Sequence, residues 1–144
     1  MLGAEHPDTA TSLNNLALLF KSQGDHDGAR PLYERALAIS EKVLGAEHPD
    51  TAITLNNLAL LLQSQGDYAG ARPLYERALA IREKVLGAEH PETAQSLNNL
   101  AGLLKSQGDY DGAQPLFERA LAICEKMLGA EHPNTKDSGN CPRR

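Results

Sequence analysis

The sequence contains no tryptophan and only two cysteines and two methionines, and 4% of its residues are aromatic. A core has to be built from Leu and Ala. Base is scarce as well: 14 Lys and Arg stand against 19 Asp and Glu, a net charge of -5 over 144 residues. Binding to a phosphate backbone needs clustered cations, so nucleic acid is not an expected partner, and no basic, base-reading face of the kind RNA-binding repeats use is present. The longest apolar run, Leu58 to Leu62, falls far short of the roughly 20 residues of a spanning helix, so no membrane role is expected. Nothing after Met1 reads as a basic region followed by an apolar signal core. G-x-S-x-G, phosphate-loop and dinucleotide fingerprints are all missing. The chain is therefore expected to be no enzyme and to carry no cofactor.

What the sequence has is a repeat. Residues 2–43 match 44–85 at 35 of 42 positions, and 44–85 match 86–127 at 32 of 42. A fixed period of this size marks a stacked architecture, in which one unit cannot bury its apolar face alone but neighbouring units share a core. The expected organisation is three repeats within 1–128, followed by the start of a fourth repeat and a disordered tail at 129–144. The chain begins mid-phase, at a point equivalent to Gly45-Ala46-Glu47, as a piece of a longer array would.

Each repeat reads as two helices. The first, helix A, should begin at His6-Pro7-Asp8, with proline tolerated at the first position and an acid in the first turn. Leu13, Leu16, Ala17 and Phe20 follow at helical spacing, and Gly24 supplies a left-handed stop. Helix B should start near Asp27 and carry Ala29, Leu32, Tyr33, Ala36 and Leu37 on one face, ending at Gly45. Pro31, Pro73 and Pro115 fall near its second turn, so helix B either starts later or has a distorted first turn.

The unit resembles the tetratricopeptide repeat. The matching positions are Leu55, Leu58-Ala59, Leu62, Gly66, Tyr68, Ala71, Tyr75 and Ala78, with equivalents in the other two copies. The usual period is about 34. The 42-residue variant here, with LNNLA, RALAI-x-EKVLG and HP-[DE]-TA, is similar to the repeats of kinesin light chains and of signalling proteins that join repeat arrays to nucleotide-binding domains. The resemblance implies an all-α, right-handed superhelix (an α-α solenoid) of three antiparallel helix pairs plus a partial fourth unit. It implies that helix A lines a concave groove. It also implies a non-catalytic scaffold that binds an extended peptide or a partner protein.

In that register the first asparagine of each pair, Asn14, Asn56 and Asn98, faces the groove, where an amide can both donate to and accept from a peptide backbone. The second, such as Asn57, braces the seam between helices A and B. On the same face of helix A, in rows about one turn apart, lie Thr11, Ile53 and Gln95, then Leu18, Leu60 and Gly102, then Lys21, Gln63 and Lys105. This surface would take a peptide with apolar anchors and an acidic residue near Lys21 or Lys105.

The recurring histidines His6, His48, His90 and His132 are expected to cap or contact helices. Equivalent points on stacked helices lie about 10 Å or more apart, too far for shared metal ligation, so no metal is expected. Glu34-Arg35, Glu41-Lys42 and their copies read as solvated helix faces. Cys124 stands where the other copies have Ser40 and Arg82. Two unmatched thiols, Cys124 and Cys141, suit a reducing, cytoplasmic location. The ends suggest an alternative function: helix A of the first repeat is bare on its outer side, and Leu121, Ile123 and Met127 of the last helix B should be partly open to solvent. Such ends could self-associate head to tail.

Overall fold

The computed structural model describes residues 5–128, and the backbone alone at Leu128; the expected fourth-repeat start and tail, with His132 and Cys141, lie outside the described residues. Among the described residues the chain is all-α, a helical repeat of the solenoid class. Its helices are α1 (Pro7–Ser22), α2 (His26–Val43), α3 (Pro49–Ser64), α4 (Tyr68–Val85), α5 (Pro91–Ser106) and α6 (Tyr110–Leu128). None of these is long and apolar enough to cross a membrane.

The helix starts follow from local chemistry. His6, His48 and His90 are the N-caps of α1, α3 and α5, each accepting a backbone N–H two residues on through Nδ1 at 3.0 Å. Helix B uses a different cap. Asp25 Oδ1 accepts from Gly28 N at 2.9 Å, and Asp67 and Asp109 do the same for Gly70 and Gly112. A Cβ on Gly28 would lie 2.4 Å from the Asp25 carboxylate, so the glycine three residues on is part of the cap. At the end of α1, Gly24 has φ +83°, Gly24 N–H bonds Lys21 O, and Asp25 N–H bonds Phe20 O. These are the paired bonds that close a helix C-terminus around a left-handed glycine.

Helix B starts early and runs through its proline. α2 begins at His26 with Pro31 inside it. Pro31 and Asp27 are both exposed, so the carbonyl that proline cannot reach meets water, and the helix continues at the cost of one bond. The connection from helix B to the next helix A is pinned by Thr51 Oγ1, which donates to Gly45 O at 2.9 Å; Thr93 and Gly87 repeat this at 2.7 Å.

The chain divides into two compact units, Met1–Ala78 and Leu79–Arg144. In the first, α1 packs on α2 and α2 on α3. Ala10, Leu13, Ala36 and Ile39 form one buried cluster with Leu32 against it, and Tyr33 is 1% exposed. Arg77 of α4 pairs with Glu41 of α2 at 2.7 Å, so Glu41 links two repeats and is no idle member of a solvated face. In the second unit α5 packs on α6, burying Ala94, Leu97, Ala120, Ile123 and Cys124 together. Arg119 and Glu83 repeat the inter-repeat ion pair at 2.8 Å.

Leu16 and Leu19 of α1 are 42% and 52% exposed, while their α3 counterparts Leu58 and Leu61 are 6% and 0% exposed. Met127 is exposed and Leu121 half-buried, but Ile123 is buried with Ala94 and Leu97, so it does not meet solvent. Cys124 is disulfide-bonded, contrary to the expectation of two free thiols, and the cysteine argument for a reducing compartment falls away.

Candidate functional site

In the first unit, a cleft of about 340 Å³ opens along α1 and α3. It gathers four of the residues expected at the groove: Thr11, Asn14, Leu18 and Ile53. Thr11, Leu18 and Ile53 are exposed, and Thr11 Oγ1 donates back to Pro7 O at 3.3 Å. Asn14 is half-buried and donates through Nδ2 to Thr54 Oγ1 at 3.0 Å. Its Oδ1 is buried and accepts no hydrogen bond. Asn14 thus ties helix A of one repeat to helix A of the next, a different seam from the helix A–helix B seam expected for the second asparagine. Asn15 is exposed, Asn57 half-buried, and both line the same cleft.

The remaining candidates are placed differently. Leu60 is 38% exposed, but Asn56 is only 6% exposed. Gln63 is half-buried and accepts from Tyr75 Oη at 2.8 Å. Lys21 is half-buried. In the second unit, Asn98 is 9% exposed. Gln95 accepts from Arg82 Nη1 at 3.2 Å. Lys105 is exposed and lines a separate apolar cleft of about 350 Å³ with Tyr110 and Phe117.

The charge around the first-unit cleft also differs from expectation. Asp8 and Asp50 line it, and among the described residues no Lys or Arg does. Both acids sit in the first turns of α1 and α3, where the helix dipole favours them. Asp50, Ile53 and Asn57 are spaced i, i+3, i+7, so they share a face; that spacing could have identified Asp50 and Asn57 beside Ile53. Among the described residues no group of three His, Cys, Asp or Glu side chains gathers as metal ligands.

Arg82 is the buried charge of the second unit, at 3% exposed. Its Nη1 donates to Glu92 O, Gln95 Oε1 and Ser96 Oγ, and the guanidinium lies 3.6 Å from the Glu92 carboxylate. A slot filled by Ser40 in one copy and Cys124 in another does not announce a buried cation. Tyr33 and Tyr75 are buried, and burial pushes both phenols above their ordinary range.

The family model of the tetratricopeptide repeat matches residues 8–84, 50–126 and 95–138. No curated protein sequence matches the chain. Among solved structures, BtubC (BKLC) from P. vanneervenii is similar at 33% identity and a TM-score of 0.81, over 97% of this chain and 53% of that one. The nearly identical TPR-like repeats assigned to a kinesin light chain of Podosopora anserina are similar at 34% identity and a TM-score of 0.81, over 92% of this chain and 63% of theirs. The present chain thus spans between half and two thirds of those two chains. The N-terminal domain of stress-induced protein-1 from C. elegans shares the fold at 18% identity, with a TM-score of 0.67 and 93% of each chain covered.

Proposed function

Because the chain belongs to the tetratricopeptide-repeat family, in its kinesin-light-chain-like variant, we propose that it is a non-catalytic scaffold whose α1–α3 cleft holds an extended segment of a partner protein. Repeats of this family are generally protein-interaction scaffolds. The observation that carries the finer statement is one cleft combining amides, from Asn14, Asn15 and Asn57, with the exposed aliphatics Leu18 and Ile53. An extended peptide has unpaired backbone N–H and C=O groups for the amides and alternate side chains for the aliphatics. Asp8 and Asp50 favour a neutral or basic segment over an acidic one. In the second unit Gln95 and Asn98 are largely engaged or buried, and Lys105 is the open position of the three.

Peptides selected from a random library on the immobilised protein test this. Affinity for a selected peptide should fall about 10-fold or more for Ile53→Asp, from the loss of one buried aliphatic contact. Unchanged affinity for both Ile53→Asp and Asn14→Ala, with helicity intact, would remove the cleft from the binding site.

A second reading is self-association through the ends of the array, favoured by the exposure of Leu16 and Leu19 on α1.

A further inference from the structure

We propose that the α1–α3 cleft takes an arginine side chain of the partner's segment, its guanidinium seated beside Ser40 as Arg82 seats its own in the second unit; this rests on the reading of that cleft as a peptide site and names the side chain it selects.

The chain carries its own template for the contact. Arg82, at 3% exposed, donates through Nη1 to Glu92 O at 3.1 Å, Gln95 Oε1 at 3.2 Å and Ser96 Oγ at 3.0 Å, and its Nη2 lies 3.6 Å from the Glu92 carboxylate. One repeat earlier the equivalent positions hold Ser40, Asp50, Ile53 and Thr54. The start of α3 therefore keeps the carboxylate, the backbone carbonyl and the hydroxyl that surround the guanidinium in the second unit. Serine has neither the length nor the charge to meet them. The cleft of about 340 Å³ opens at that point, lined by Ser40, Asp50, Ile53 and Thr54.

The charge and the polar atoms of the cleft fit the same ligand. Asp8 and Asp50 line it, and among the described residues no Lys or Arg does. His48 Nδ1 lies 4.0 Å from the Asp50 carboxylate, but it accepts Asp50 N–H, so the ring is neutral in that bond and offers no countercharge. Asn14 Oδ1 is buried and accepts no hydrogen bond among the described residues. A buried acceptor without a donor is costly, and a donor brought by the ligand removes that cost. A guanidinium presents a planar fork of N–H donors, which can hold a carboxylate bidentately and still serve a hydroxyl, a carbonyl or an amide oxygen. The ammonium of lysine is a point charge without that fork. Ile53 stands where Gln95 stands in the second unit, and its exposed aliphatic surface suits the methylene stem of an arginine entering from outside.

The test uses the full chain and peptides selected on it from a random library. The selected peptides should share an arginine. Exchanging it for citrulline, which keeps the shape and loses the charge, should weaken binding about 10-fold or more, and lysine should not restore it. Ser40→Arg supplies the guanidinium from the chain itself, as the second repeat does. This variant should stay helical and should abolish the difference between the arginine and citrulline peptides. Asp50→Asn should reduce that difference, and it serves alone if Ser40→Arg loses helicity. Peptides that shift the backbone amides of Asn14, Ile53 and Asn57 yet bind equally with arginine, lysine or citrulline would overturn the arginine site and leave the cleft as a peptide site. An arginine dependence that both variants leave unchanged would likewise place the guanidinium elsewhere and overturn this assignment alone. Binding that shifts none of those amides would overturn both readings.

Discussion

The side-chain amide of Asn14 donates to the hydroxyl of Thr54 at 3.0 Å, across a sequence separation of 40 residues. This bond ties α1 to α3 at the edge of the cleft, and it fixes the asparagine whose neighbours Asn15 and Leu18 line the same space. Thr54 is fully buried, so its hydroxyl has no water to exchange for the amide. A double-mutant cycle of Asn14→Ala and Thr54→Val should give a coupling energy of about 0.5–1.5 kcal/mol, measured by urea unfolding. A coupling near zero would mean the pair is not a brace.

The histidine caps act through a neutral ring nitrogen that accepts a backbone N–H. Replacing His48 by Ala removes the acceptor for Asp50 N–H and should lower stability by about 1 kcal/mol, while His48→Asn should recover most of it. Thermal unfolding of the two variants checks this order.

Arg82 satisfies three acceptors from a buried position. Arg82→Ala leaves the fully buried Ser96 hydroxyl without that donor and opens a cavity. A loss of about 2–4 kcal/mol is expected. Arg82→Ser, the residue of the first repeat, should cost nearly as much, since Ser lacks the reach. Denaturant midpoints of both variants report it.

Tyr33 and Tyr75 are protonated and buried, and burial raises both phenols above their ordinary value. The sign follows from linkage. In the unfolded chain these tyrosines ionise near pH 10, whereas in the folded chain they stay protonated. Their contribution is complete below about pH 10 and is lost as pH rises above it. Unfolding free energy should therefore fall through the alkaline range. Tyr75→Phe should flatten that fall, while costing about 0.5–1.5 kcal/mol near neutrality through the lost bond to Gln63.

Much of the fold was legible because the repeat states each signal three times. Pro7, Pro49 and Pro91 open α1, α3 and α5, and Gly24, Gly66 and Gly108 close them. Pro31 misled because a solvent-facing proline costs a helix one bond and does not end it. The site was less legible. Periodicity fixes direction on one helix, so it aligns Thr11, Asn14 and Leu18 on α1, and these three line one cleft with Ile53 of α3. It could not foresee that Gln63 of α3 and Gln95 of α5 are taken by Tyr75 and Arg82 of α4. It also could not foresee that Asn14 reaches Thr54 across the space between helices. Those depend on distances between elements that no single helix encodes.

The central claim is that the α1–α3 cleft is where a partner's extended segment sits. Backbone amide shift changes on titrating a library-selected peptide test it most directly. The largest changes should cluster at Thr11, Asn14, Asn15, Leu18, Ile53 and Asn57, and they should vanish in Ile53→Asp. Saturable binding whose largest changes fall instead on α2 or α6, with these six residues unmoved, would contradict it.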